Sequence, residues 1–311
     1  IKILSGTESL REIALSPEAS QVVFASSGTE AIPALMETLS HCKPVSLANK
    51  ESLVIAGSWV MPLVKDKSHL RPLDSEHNAV WQCLLGETER SVRSITLTAS
   101  GGPFRNLGLE ELRAVTPLMA LKHPVWPMGA KITVDSATLM NKGLEILEAM
   151  QLFNLPAEKV QAVVHPQSLV HGMVHFSDCT TKWLLSRPDM RIPAAVALAY
   201  PDRLDLREET LDFPSLGDLA LSFEEPDLRR FPCLRLAMEA AERGGAAPAL
   251  LVGADEIAVE AFLNEKLPLT GIPALIERTV DSYPGPDPRS AEEAIDIANW
   301  ARQKAQKILN L

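Results

Sequence analysis

The chain has 311 residues, 30 Lys plus Arg against 40 Asp plus Glu, 46% hydrophobic and 23% charged residues. That composition belongs to an ordinary soluble globular protein, and the length predicts two or three folding units with cores that need no disulfide or structural metal. The formal net charge of -10 argues against non-specific nucleic-acid binding, because no basic surplus displaces counterions from phosphates, though an acidic protein can still carry a local anion pocket.

Along the first seventy residues strand-like and helix-like runs alternate. Gln21 to Ala25 reads as a buried strand, Thr29 to Ser40 as an amphipathic helix, Pro44 to Ala48 as a second strand, Glu51 to Val64 as a second helix and Leu70 to Leu73 as a short strand. This rhythm predicts a parallel sheet with crossover helices. A Gly-rich dinucleotide turn is missing, since Ser26-Ser27-Gly28 carries a single Gly. From Asp74 to about Arg203 strands and helices mix, interrupted by a Pro- and Gly-rich stretch from Gly101 to Gly129 that reads as a lid or a disordered insertion. Residues 204–230 read as a linker. Leu234 to Arg243, Ala247 to Leu263, Gly271 to Val280 and Ser290 to Leu309 carry helical periodicity, which predicts a small bundle.

Four cysteines lie far apart without C-x-x-C spacing, so neither a zinc knuckle nor a disulfide framework is indicated, and a reducing cytoplasm fits. No run of about 18 apolar residues marks a membrane span. The start Ile1-Lys2-Ile3 lacks both an initiator Met and the layout of a signal peptide, so the numbering is expected to begin inside a longer polypeptide.

Several short segments carry residue types suited to chemistry, and each has two readings. Asp74-Ser75-Glu76 closes a strand-like run; two carboxylates on one face hold a cation, or the acids are solvated and cap the helix starting at His77. Asn141, Lys142 and Glu145 share a helix face, as a site or as a solvated ion pair, and Gly143 in a helix interior points to a close backbone approach. Ser100-Gly101-Gly102 is an anion nest or a plain turn. His123-Pro124-Val125-Trp126-Pro127-Met128-Gly129 puts large side chains on a stiff loop, to cover a ligand or to fold back on the core. Lys50, in Asn49-Lys50-Glu51-Ser52 at a strand-to-helix junction, meets a phosphate or covers the surface. His165, ending a buried strand, is catalytic or a hydrogen-bonded core residue.

In their order along the chain these segments resemble the 1-deoxy-D-xylulose 5-phosphate reductoisomerase family, and Arg187 to Arg191, Phe231 to Leu234 and Ala254 to Ile257 extend the resemblance over essentially the whole length. The resemblance implies rearrangement and NADPH-dependent reduction of 1-deoxy-D-xylulose 5-phosphate to 2-C-methyl-D-erythritol 4-phosphate, in the non-mevalonate isoprenoid pathway. It implies Mg²⁺ or Mn²⁺ on Asp74, Glu76 and Glu145, an oxygen set suited to hard ions. Lys50, Ser75, Ser100, His123, Ser136, Asn141 and Lys142 match sugar-phosphate contacts, with Ser100, Ser136, Asn141 and Lys142 as the phosphate grip. Trp126 and Met128 belong to the closing lid, while Asn49, Glu51 and Gly129 match positions that touch NADPH. A homodimer is implied, located in the cytoplasm or a plastid-like compartment, with no nucleic-acid or membrane partner.

The implied architecture is α/β plus α+β. Residues 1–73 form the C-terminal part of a Rossmann-like cofactor domain, 74–203 a catalytic domain with its lid at 101–129, 204–230 a linker and 231–311 the helical bundle. Three departures stand out: the family's G-x-T-G-S-I-G half, about 70 residues of βαβ units, is absent; Phe24 to Glu30 replaces a segment richer in Gly; and Asp178-Cys179 stands where the family has Asp-Gly. The first predicts weakened NADPH binding. Two further functions stay in view: a metal-dependent sugar-phosphate isomerase or aldolase that never uses NADPH, and a non-catalytic sugar-phosphate binding protein.

Overall fold

Val22, Val23 and Phe24 form β1 (Val22–Phe24), which pairs in parallel with β2 (Val45–Leu47), itself parallel to β3 (Leu70–Pro72). The computed structural model describes residues 3, 5–122, 129–207, 210–212, 217 and 219–310. Parallel strands require crossovers, and helices α2 (Ile32–Ser40) and α3 (Lys50–Val60) supply them, while α1 (Thr7–Ala14) packs on α2. Helix α2 starts later than the periodicity predicts, at Ile32, because Pro33 lacks an N–H and belongs in a first turn. Helix α3 is fixed by Asn49: its Oδ1 accepts from Ser52 N at 2.8 Å, and its amide donates to the carbonyls of Ser26 and Gly28.

The second sheet has the order β5-β4-β6-β7. Its centre is β4 (Val92–Ala99), parallel to β5 (Val160–Val164) and antiparallel to β6 (Val170–Phe176); β7 (Thr181–Leu185) is the outer strand. Helix α4 (Ser75–Leu84) packs on β6 and β7. The β6–β7 turn holds Cys179 at φ 69, the left-handed region in which glycine is favoured. Between β4 and β5 run α5 (Leu109–Leu112), α6 (Pro117–Ala120), α7 (Ala130–Thr138) and α8 (Met140–Phe153). The stretch 101–122, expected to lack periodicity, carries two one-turn helices anchored by buried Phe104, Leu112, Val115 and Ala120.

The end of the 204–230 segment is docked rather than free. Glu224 exchanges backbone hydrogen bonds with Val164 at 2.8 and 2.9 Å, closing the outer side of β5. Beyond α9 (Arg191–Ala199) come α10 (Pro232–Arg243), α11 (Ala247–Leu263), α12 (Ile272–Asp281) and α13 (Ala291–Leu309), close to the expected spans. Helix α11 is buried along most of its length, with α13 beside it and against α3, so the bundle and both sheets share one continuous apolar core. Gly143 explains itself here. A Cβ at that position would lie 2.3 Å from Ala237 Cβ, so the close approach is between α8 and α10, not to a ligand. Among the described residues no helix is long and apolar enough to cross a membrane.

Candidate functional site

Residues that follow β2, β3 and β4 line one cavity of about 250 Å³, opposite residues of α7 and α8. The carboxyl ends of strands in open α/β sheets are where ligands bind. Asp74 sits at the N-cap of α4, yet its carboxylate makes no cap hydrogen bond and instead receives the Lys50 ammonium. Ligand oxygens of Asp74, Glu76 and Glu145 lie within 4.8 Å of one another. Around them, Lys142 Nζ donates to Glu76 Oε1 at 3.0 Å and to Glu145, Asn141 Nδ2 donates to Glu145 Oε1 at 2.5 Å, and Ser75 Oγ donates to Glu76. Lys50 Nζ lies 3.5 Å from Glu145 Oε1. The helix face read as either site or solvated surface is buried: Lys142 is 2% exposed and Glu145 0%.

Charge is uneven in this cluster. Burial, joined by the nearby Glu76 carboxylate, pushes Glu145 up to about 8. Burial also acts against ionisation of Asp74, but the Lys50 ammonium and His77 overcome it and hold Asp74 well below the usual carboxylate range. Burial alone would lower Lys142, and Glu145 and Glu76 instead hold its ammonium above the ordinary value. Three carboxylates converge here, one of them with its ionisation opposed by burial and then by Glu76, and the ammonium groups of Lys50 and Lys142 stand where a cation would otherwise sit. An all-oxygen donor set of this kind fits a hard divalent cation.

Opposite the acids stands a polar wall. Gly101 and Gly102 follow β4 at φ 85 and 68, and a Cβ on Gly102 would lie 2.5 Å from the Ser136 carbonyl, so glycine there lets the β4 turn close on α7. Leu139, at φ 59, breaks the chain between α7 and α8. The break lets Ser136 and the pair Asn141 and Lys142 line the same cavity as Ser100. Asn141 Oδ1 is buried and has no hydrogen-bond partner among the described residues.

Of the residues singled out from sequence, Lys50, Asp74, Ser75, Glu76, Ser100, Ser136, Asn141, Lys142 and Glu145 line this cavity. Asn49, Glu51 and Gly129 do not; Asn49 is spent on capping α3, and Gly129 is the N-cap of α7. His165 lies elsewhere, fully buried, with Nδ1 2.8 Å from the Ser222 carbonyl and its ring stacked on Phe223 at 4.7 Å. His123, Trp126 and Met128 fall outside the described residues.

Sequence reasoning missed Ser168, His171 and Met190, which also line the cavity. A signal existed for His171, an imidazole within the otherwise apolar, buried start of β6, where burial lowers its proton affinity. Behind the acids, the Nε2–H of His77 donates to the Glu145 carbonyl at 2.9 Å while Nδ1 lies 3.3 Å from Glu148 Oε2. Asp74, His77 and Glu148 thus form a second group of potential ligands, and burial pushes Glu148 up to about 7.

Comparison with known proteins points one way. Residues 1–57 match the sequence profile described as 1-deoxy-D-xylulose 5-phosphate reductoisomerase, and residues 70–153 and 185–304 match two profiles for C-terminal domains of the same enzyme. The chain is 48% identical over 309 residues to the 1-deoxy-D-xylulose 5-phosphate reductoisomerase of Pelodictyon phaeoclathratiforme, covering 99% of this chain and 80% of that one. It is 46% identical to the enzyme of Desulforamulus reducens, with 99% and 79% covered. Among solved structures, the Zymomonas mobilis enzyme in complex with NADPH superposes with a TM-score of 0.89 at 43% identity, over 98% of this chain and 78% of that one. A reductoisomerase in complex with NADPH, fosmidomycin and magnesium gives 0.90 at 39% identity, over 99% and 80%.

Proposed function

The chain belongs to the 1-deoxy-D-xylulose 5-phosphate reductoisomerase family, and from that premise we propose that it rearranges 1-deoxy-D-xylulose 5-phosphate and reduces the product to 2-C-methyl-D-erythritol 4-phosphate. The observation that carries this reading is the convergence of Asp74, Glu76 and Glu145 opposite Ser100, Ser136, Asn141 and Lys142 in one cavity. Asp74, Glu76 and Glu145 would hold Mg²⁺ or Mn²⁺. When bound, such an ion polarises the substrate's carbonyl and hydroxyl oxygens as a Lewis acid. NADPH, when bound, supplies the hydride.

The chain's own residues do the rest. Ser100, Ser136, Asn141 and Lys142 grip the phosphate, a charged anchor remote from the reacting carbons whose binding energy holds the skeleton in register. Lys50 and Ser75 sit beside the acids and orient the hydroxyl groups. His77, held by the Glu145 carbonyl, fixes the backbone of that ligand. His123, Trp126 and Met128 close over the substrate and keep water out, and Asn49, Glu51 and Gly129 line the cofactor side. Residues 1–73 serve the cofactor, 74–203 the metal and sugar phosphate, and 231–311 buttress both.

We place the enzyme in the cytoplasm or a plastid-like compartment as a homodimer. Strand β7, which pairs with no further strand among the described residues, favours the dimer, as do Trp183 and Phe223, 47% and 39% exposed and stacked on each other. The test of function is NADPH oxidation on addition of 1-deoxy-D-xylulose 5-phosphate and Mg²⁺, with the product identified by mass. Isomerisation without NADPH oxidation would instead indicate a plain sugar-phosphate isomerase, and binding without turnover a binding protein.

A further inference from the structure

Helix α11, the most deeply buried helix of the bundle, carries one charged residue on its buried face, Asp255, which is 0% exposed. Lys131 in the first turn of α7 donates to Asp255 Oδ2 at 2.7 Å and to Asp135 Oδ2 at 2.6 Å. Asp135 is itself 2% exposed. Oδ1 of both aspartates has no hydrogen-bond partner among the described residues. Two buried carboxylates share one ammonium, an arrangement that folding stability does not explain, since apolar replacement of buried ion pairs is often neutral or stabilising. None of these residues lines the cavity, and none belongs to the acid cluster around Glu145. Their place in the fold is what matters. Lys131 and Asp135 bracket Ile132, which lines the cavity, and Asp135 is followed directly by Ser136 and then by the left-handed break at Leu139 that sets Asn141 and Lys142.

Resting on the reading of the cavity given above, we propose that Asp255 is a positioning residue by which the helical bundle fixes α7, and with it Ser136, for grip of the substrate phosphate. Burial, reinforced by Asp255, pushes Asp135 up to about 8, so near neutral pH one proton neutralises the set. Lys131 keeps its charge: burial opposes it, but Asp135, Asp255 and Glu51 of α3 outweigh burial. From α10 the Cys233 thiol faces the same aspartates, and burial followed by Asp255 holds it protonated. Above pH 8 the proton leaves and the two aspartates repel across Lys131. The latch then loosens.

The test is calorimetric titration of 1-deoxy-D-xylulose 5-phosphate into the Mg²⁺-loaded full chain, alongside Mn²⁺ titration and thermal melting. Asp255→Leu is expected to weaken substrate binding tenfold or more while Mn²⁺ affinity stays within twofold. Asp255→Asn, which keeps the hydrogen bond to Lys131, should restore substrate affinity to within threefold. Lys131→Met, made from the more exposed side of the latch, should match Asp255→Leu, and the double variant should be no worse than either. Substrate affinity of the unaltered chain should fall between pH 7 and 9, whereas that of Asp255→Asn stays flat. Substrate binding unchanged in Asp255→Leu, or metal and substrate affinity falling together with the melting temperature, overturns the proposal. An unaltered chain that binds Mn²⁺ but no substrate overturns the site assignment and this proposal with it.

Discussion

Replacing Glu145 by Gln changes one oxygen to an amide at the most buried member of the acid cluster. The carboxyl is pushed up to about 8, by burial and then by Glu76. At pH 7 a cation must therefore expel a proton held about one unit above ambient pH, costing about 1.4 kcal/mol, and at pH 6 about 2.7 kcal/mol. Mn²⁺ affinity of the unaltered chain should rise roughly tenfold per pH unit from 6 to 8 and level off above. Glu145→Gln removes both the ligand charge and the proton: we expect at least a hundredfold weaker Mn²⁺ binding, about 2.7 kcal/mol, with the pH slope flattened. The fold should tolerate the change. Once the Asn141 amide turns over, its Oδ1, which has no partner among the described residues, accepts from the new amide while the Gln oxygen accepts from Lys142. Electron paramagnetic resonance titration of free Mn²⁺ at several pH values reads both quantities. Unchanged affinity, or a slope that persists in the variant, would refute the assignment of Glu145 as the ligand that titrates.

Three further outcomes follow from the same coordinates. Glu145, Glu148 and Asp135 are all raised, to about 8, 7 and 8, so the metal-free native state holds protons that the unfolded chain releases near pH 4 to 5. Stability contributed by those protons is full at acidic pH and is lost, at up to about 1.4 kcal/mol per unit for each group, as pH rises towards 8; urea melts from pH 5 to 9 should show the decline, and Mg²⁺ should reverse it. Cys179→Gly relieves a left-handed non-glycine residue and should stabilise by roughly 0.5–1 kcal/mol, the conformational gain being offset in part by a freer unfolded chain; a lower melting temperature would contradict this. Gly143→Ala should destabilise by roughly 1–3 kcal/mol despite better helix propensity, because its Cβ would press on Ala237 across the α8–α10 contact; a stabilised variant would show that the two helices separate freely.

Much of the fold was legible because its signals are local. The alternation in the first seventy residues gives a parallel sheet with crossover helices, and the 3.6-residue period gives α10 to α13 nearly to their ends. Where the reading slipped, tertiary contacts decided. Segment 101–122 carries no amphipathic period yet is pinned by four widely spaced apolar side chains, and residues 222–224 leave the linker to close the edge of β5. Asp74 looked like a helix cap, and only the placement of Lys50, 24 residues earlier, shows why its carboxylate turns into the cavity.

Residues that line the cavity were legible where motif and chemistry coincided, as in Asn141, Lys142 and Glu145. Ser168 was not, since a serine at φ 51 has no signature in spacing, and for His171 the one signal was an imidazole inside an otherwise apolar run. The link between Lys131, Asp135 and Asp255 spans α7 and α11. No local pattern announces a contact across that separation.

The placement of the metal tests the account most directly, because two groups of ligand atoms sit side by side and share Asp74. Crystals soaked in Mn²⁺ and measured for anomalous scattering should give one peak among Asp74, Glu76 and Glu145, with the ammonium groups of Lys50 and Lys142 displaced from the acids. A peak between Asp74, His77 and Glu148, or none at either place, would contradict it.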